Sequence, residues 1–182
     1  MEIDDLKYIK AAYGFENLGT CAFSSKVGRA GKSFREVSNY VFSKPNKKSW
    51  IAIFIPKASR NFRKDIQILP DISMFEGYIA GFQELVQKGG LNFKEWGIDE
   101  RWDWGIPSER IFAFKKPRIK ITDIFEEPDL KNFYAAATAS AAYRFDEEHE
   151  KKIISNFSMG DLIEIKKEKK FFDLYTKLKN KF

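Results

Sequence analysis

The chain has 182 residues, of which 43% are apolar, enough for the core of one ordinary domain; this excludes global disorder and two comfortable domains. Basic residues number 32 against 26 acidic ones, a net charge of +6 that predicts a mild preference for anionic partners. A single cysteine, Cys21, excludes a disulfide framework and predicts a reducing compartment. The opening MEIDDLKYIK places acids where a signal peptide carries basic residues, and no apolar run approaches a membrane span, so a cytoplasmic protein is expected. Abundant Lys, Glu and Ile with few Gln and one His lean toward a thermophile composition.

Residues 4–15 suggest a short leading helix, with Leu6, Ile9 and Tyr13 on one side. TCAFSS (20–25) reads as a strand, followed by a glycine-broken basic loop from Lys26 to Lys32. Ser33 to Ser38 suits a helical turn, with Ser33 as cap and Glu36 three residues on. Tyr40-Val41-Phe42 reads as another short strand, stopped by Pro45.

WIAIFI (50–55) is apolar on both faces, which predicts a central or sandwiched strand. Residues 59–76 read as a long basic loop. GYIAGFQELV (77–86) is a strand in which Gly81 marks a bulge or a close backbone approach. RIFAF (110–114) is a further strand, and 117–121 continues the sheet. Thr122 or Asp123 can cap a turn toward Pro128, the alanine-rich 134–143 leans helical, and Asp146 caps a helix running through Ile154. Residues 161–182 are amphipathic and lysine-rich, which predicts a terminal helix leading out of the domain. Short strands of this kind imply a mixed sheet closing on itself, a small barrel with flanking helices.

Charge is segregated along the chain. Between Lys26 and Lys64 stand eleven basic residues against one acid, Glu36, so this stretch carries +10 and the remainder −4. That is the sequence signature of a phosphate-binding face, and a solvated lysine-rich surface is the plainer alternative.

GRAGKS (28–33) sits where a phosphate loop sits, but the position five residues before its GK glycine is Lys26 rather than glycine. No strand ending in a magnesium-binding Asp accompanies it, so a backbone nest for a nucleic-acid phosphate fits better than nucleotide hydrolysis. Cys21 and His149 are far apart, leaving no zinc spacing, and His149 reads as a surface-helix residue among Asp146, Glu147, Glu148 and Glu150. A serine or cysteine triad would need that same histidine, and no nuclease-like set of paired acids with a following lysine is visible. No catalytic residue, metal or cofactor is expected.

Three of the four tryptophans, Trp96, Trp102 and Trp104, fall within nine residues of a polar stretch broken by Gly97, Gly105 and Pro107. Burying a large apolar side chain is worth about 1.5–3 kcal/mol, so indoles in a loop either pack down locally or line something that binds. Opposed aromatic faces suit a nucleobase, with stacking worth about 1–3 kcal/mol per base. The plainer alternative is that one of them, Trp104 above all, plugs the end of the barrel.

These segments together resemble the YTH and EVE branch of the PUA-like barrels, readers of modified bases. CAFSSKVGRAGKSFREVSNYVFSKP is similar to the opening of a YTH domain, GYIAGFQELV to its glycine-containing strand, KEWGIDERWDWGIPSERIFAFKKPRIKITDIFEEPDLKNF to the stretch where cage tryptophans precede a proline and an apolar strand, and YRFDEEHEKKIISNF to the closing helix. The resemblance covers residues 20–157 and rests on order and spacing. It implies an α+β fold, a PUA-like (YTH/EVE-type) small mixed β-barrel with flanking helices, in a domain of residues 1–157 followed by a C-terminal helix or linker of residues 158–182. Phe42 falls where the first cage tryptophan lies, Trp96 and Trp102 near the loop cage positions, and Lys26 at the lysine beside the nucleic-acid backbone. The first wall is Phe rather than Trp, and Val27 and Gly28 replace the usual asparagines, which bears on the hydrogen bonding of the base edge.

The expected base-binding set is therefore Tyr40, Phe42, Trp96, Trp102 and Trp104. The expected phosphate-binding set is Lys26, Arg29, Lys32, Lys44, Lys57, Arg60, Arg63 and Lys64. The resemblance implies methylated DNA as partner, N6-methyladenine favoured, with the base flipped out at a cost of a few kcal/mol. It also implies a setting like the N-terminal specificity domain of an archaeal McrB-type restriction protein, with an AAA+ GTPase domain and a nuclease partner. The alternatives are a reader of methylated RNA, a nuclease or nucleotide hydrolase, and a protein-interaction module that docks through its tryptophan loop.

Overall fold

Apolar segments too short for helices and apolar on both faces need a sheet covered on both sides, and the chain builds one. The computed structural model describes residues 3–11, 20–23, 28–43, 48–56, 72–85, 91–92, 104–139 and 141–165. Its strands are β1 (Leu6–Ala11), β2 (Thr20–Phe23), β3 (Ser49–Phe54), β4 (Ile79–Leu85), β5 (Leu91–Asn92), β6 (Trp104–Phe114), β7 (Ala142–Arg144) and β8 (Leu162–Glu164). The helices are α1 (Gly28–Phe42), α2 (Ile121–Ile124), α3 (Asp129–Thr138) and α4 (Glu147–Ile154). The protein is of mixed α+β type, with strand order β2-β6-β4-β3-β1-β7 and with β5 and β8 also paired to β6.

β1 and β3 are parallel, and the other ladders are antiparallel. Every residue of β3 and β4 is buried, the polar Ser49, Gln83 and Glu84 included. On one side Val37 and Val41 of α1 pack onto Tyr8, Ile51, Leu85 and Ile106. On the other side lies the larger core, where Phe54 meets Phe133 edge-on at 5.0 Å and Phe82 meets Phe114 at 5.6 Å. At about 1.5–3 kcal/mol per large buried side chain, this layer supplies most of the driving force for folding.

β6 is the hub. Its first residues pair with β2 and β5, and its later ones with β4 and β8. Gly81 of β4 makes the close backbone approach expected of it: a Cβ there would collide with the Phe112 carbonyl oxygen and lie 2.9 Å from the Ala113 Cα.

The closed barrel is corrected. The end strands β2 and β7 share no ladder among the described residues, and the sheet stays open. α1 contacts both of them and fills the gap. It is pinned to β7 by Ser33, whose hydroxyl accepts the Ala142 N–H at 2.7 Å. A helix thus covers the edges that strand pairing would otherwise have to close.

Local assignments shift with it. Residues 6–11 form a strand rather than a helix, because β3 on one side and β7 on the other supply ladders that outweigh helical spacing. Residues 28–32 and 40–42, read as a loop and a strand, belong to α1 together with the helical turn expected at 33–38; its buried residues Ala30, Val37 and Val41 follow a helical period. Residues 162–164, expected in a terminal helix, pair with β6 instead. Asp146 caps α4 as expected, its carboxylate accepting the His149 N–H at 2.8 Å. His149 itself is no surface residue: it is only 8% exposed, and its ring lies 4.7 Å from that of Phe125.

Candidate nucleic-acid interface

The direction of the strands decides which residues meet. β3 and β6 are each antiparallel to β4, so both begin at the same end of the sheet. β1, parallel to β3, begins there too. Ser49 pairs with Leu85 and Leu85 with Ser108, so residues 104–107 of β6 project beyond the start of β3. Phe42, the last residue of α1, precedes β3 by a few residues and arrives at this end. Tyr40 anchors it there by donating its hydroxyl to the carbonyl of Asp5, just before β1.

Phe42 is 52% exposed, one of few large apolar side chains left open to solvent among the described residues. Tyr40 is half-buried, its ring 5.4 Å from that of Tyr8. Burial holds its phenol protonated far above the ordinary range, so it acts here as a donor. Trp104 opens β6, its backbone paired with Phe23 and Asn92; its side chain is outside the described set, as are Trp96 and Trp102 entirely. In the sequence Trp96 and Trp102 stand between Asn92 of β5 and Trp104 of β6, whose backbones pair.

Of the expected phosphate-binding residues, Arg29 and Lys32 are exposed on α1. Together with Arg35 they follow a three-residue spacing that places them on one outward face. Lys32 also lies 3.8 Å from Glu36, a weak surface pair. Lys26, Lys44, Lys57, Arg60, Arg63 and Lys64 lie outside the described residues.

No protein-family model, curated protein or solved structure matches this chain. Among the described residues no helix is long and apolar enough to cross a membrane.

The fold also gathers polar residues that no sequence motif singles out. Strand alternation puts Ser49 and Gln83 on the same sheet face as Ile51 and Leu85, Ser108 with Ile106, and Lys10 with Tyr8, all beneath α1. Lys10, Ser38, Ser49, Gln83 and Ser108 are all buried. The hydroxyls of Ser38 and Ser49 find no hydrogen-bond partner among the described residues. A buried polar layer of this kind is costly unless something satisfies it. Its signal in the sequence is polar letters inside strand-like runs: the second Lys of LKYIKA and the Gln of GFQEL.

A charged ladder crosses the same end of the sheet on the opposite face. Lys48 lies 3.5 Å from Glu84, and Arg110 of β6 makes a two-point pair with Glu164 of β8, Nε to Oε1 at 3.0 Å and Nη2 to Oε2 at 2.7 Å. Glu84 is buried, which pushes its carboxyl upward while Lys48 opposes the shift. Its Oε2 and the indole Nε1 of Trp50, its cross-strand neighbour, both lack hydrogen-bond partners among the described residues.

Proposed function

We propose that the chain is a nucleic-acid reader that takes one modified base, N6-methyladenine in DNA by preference, into an aromatic pocket at the end of the sheet where β6 begins. The observation that carries this reading is the half-exposed Phe42, which arrives at the sheet end where Trp104 opens β6. Aromatic walls recover the stacking that a flipped base gives up, about 1–3 kcal/mol per base. The methyl group adds only about 0.8 kcal/mol by area, so discrimination rests on shape and on the exclusion of water. The exposed basic residues Arg29 and Lys32, on the helix that ends at Phe42, support a phosphate contact.

In its finer form the proposal is a PUA-like domain of YTH/EVE type in which α1 takes the place of the last barrel seam. It binds without catalysing a reaction, in the cytoplasm, as the specificity domain of a modification-dependent restriction system whose GTPase and nuclease reside elsewhere.

The deciding experiment compares affinity for matched duplexes carrying adenine, N6-methyladenine, cytosine or 5-methylcytosine, and for the methylated RNA of the same sequence. Trp96→Ala and Trp102→Ala are expected to abolish the preference for the methylated duplex while leaving weak, salt-sensitive binding. Retained discrimination in both variants would remove the aromatic pocket from the reading, and tighter binding of the RNA would change the partner.

A further inference from the structure

We propose that Tyr40 is a positioning residue of the reading end: its hydroxyl, held on the Asp5 carbonyl, sets the rotation of the last turn of α1 and so keeps Phe42 facing outward. This role rests on the reading of Phe42 as a wall of the base pocket, and it moves Tyr40 from that wall to its support.

An α-helix turns by about 100° per residue, so Tyr40 and Phe42 stand on opposite flanks of Val41. Val41 is fully buried, in the cluster with Tyr8, Ile51, Leu85 and Ile106. Apolar contact of that kind is non-directional: it seats the helix on the sheet without fixing its rotation. A hydrogen bond on one flank does fix it. Tyr40 supplies that bond on the flank facing the start of β1, and its ring rests 5.4 Å from that of Tyr8. Phe42 is thereby left on the open flank, 52% exposed. Ser43 closes the turn behind it, donating its N–H to the Asn39 carbonyl and its hydroxyl to the Tyr40 carbonyl, both at 2.9 Å.

The acceptor is itself held in place. Asp5 has a φ of 54°, left-handed backbone that few residues other than glycine adopt and that Asp tolerates better than most. Such a conformation persists where its surroundings over-determine it. The Asp5 carbonyl and the Leu6 N–H belong to one planar peptide unit, and both of its polar groups are taken. Tyr40 of α1 donates to the carbonyl, and the N–H donates to Glu150 of α4 at 2.8 Å. The Lys7 ammonium stands 3.7 Å from the Asp5 carboxylate and steadies the same turn. A peptide clamped from two helices cannot swivel, so a bond to it transmits orientation to the end of α1.

The test is Tyr40→Phe, which keeps the ring and removes the donor, read in two ways on the full chain. Amide hydrogen exchange at residues 39–43 is expected to quicken about ten-fold or more, with exchange at 30–37 unchanged. The ratio of affinities for duplexes carrying N6-methyladenine and adenine is expected to fall about five-fold or more, as it does in Phe42→Ala. Gly81→Ala, which strains the sheet where β4 meets β6, is expected to keep the parent ratio and so separates positioning from a general loss of stability. A parent that does not discriminate, or a Phe42→Ala chain that still does, overturns the pocket reading and this role with it. Where the parent discriminates and Phe42→Ala does not, three results overturn the positioning role alone: an unchanged ratio in Tyr40→Phe, unchanged exchange at 39–43, or a ratio lowered equally by Gly81→Ala.

Discussion

Glu150 of α4 holds Lys7 of β1 at 2.7 Å across 143 residues of sequence, while its other carboxylate oxygen accepts the Leu6 backbone N–H at 2.8 Å. One side chain thus latches α4 onto a strand near the start of the chain. Both bonds involve charge, and charge-assisted bonds of this kind contribute about 1.5–3 kcal/mol when partly shielded.

Glu150→Ala is therefore expected to destabilise the fold by about 1–3 kcal/mol in urea denaturation. The latch also sets an alkaline limit. The hydrogen bond from Glu150, helped by its charge and that of Asp5, raises the Lys7 pKa above 10.5 despite partial burial. A cation with a raised folded pKa contributes stability that is complete below its unfolded value and fades as pH climbs through the folded one. Lys7→Met should flatten the loss of stability above pH 10.5, and an unchanged alkaline limb would show that the latch adds nothing.

Gly81→Ala inserts a methyl group into the backbone of the neighbouring strand. Fixed backbone cannot yield as a flexible side chain does, and overpacking of this type costs about 1–3 kcal/mol or more. A lowered urea midpoint with the m-value retained is expected; wild-type stability would mean that β4 and β6 leave room for a methyl group between them.

Glu84 governs the acid side. Burial is the largest influence and raises its carboxyl above 4.5, with Lys48 working against it. The folded state then binds more protons than the unfolded chain between those two values, so this group's contribution to stability falls as pH rises from 4.5 through the folded pKa. Glu84→Gln should flatten that fall and be most favourable, relative to the parent, at neutral pH. Parallel pH–stability curves for the two proteins would contradict it.

Reversing the charge of Arg29 and Lys32 together is expected to weaken binding to every nucleic acid, methylated or plain, by a similar factor. The salt dependence should fall by about 1 unit of slope for each phosphate that is no longer neutralised. Both residues are exposed on α1, so folding should be unaffected, which circular dichroism checks. Unchanged affinity would exclude this face as the clamp.

Much of the scaffold is legible in the sequence because its signals are local. WIAIFI announces a strand buried on both faces, GYIAGFQELV a strand with a tight approach at Gly81, and Asp146 a helix start, and all three stand in the structure. LKYIKA reads as a helix because six apolar-rich residues fit helix and strand periods alike, and only partners on both sides decide between them. The triple Tyr40-Val41-Phe42 resembles a strand because three letters show no period at all. The aromatic set stands out by composition, yet no linear pattern tells that Phe42 arrives at the sheet end where β6 begins.

Charge segregation, the lone cysteine, the apolar strands and the tryptophan cluster were fixed by residue order, since each depends on neighbours along the chain. The open sheet with α1 across its gap, the buried polar layer beneath that helix and the meeting of Tyr40 with Asp5 were decided only by tertiary structure. These depend on strand direction and on which face each side chain takes, and contacts between distant segments set both.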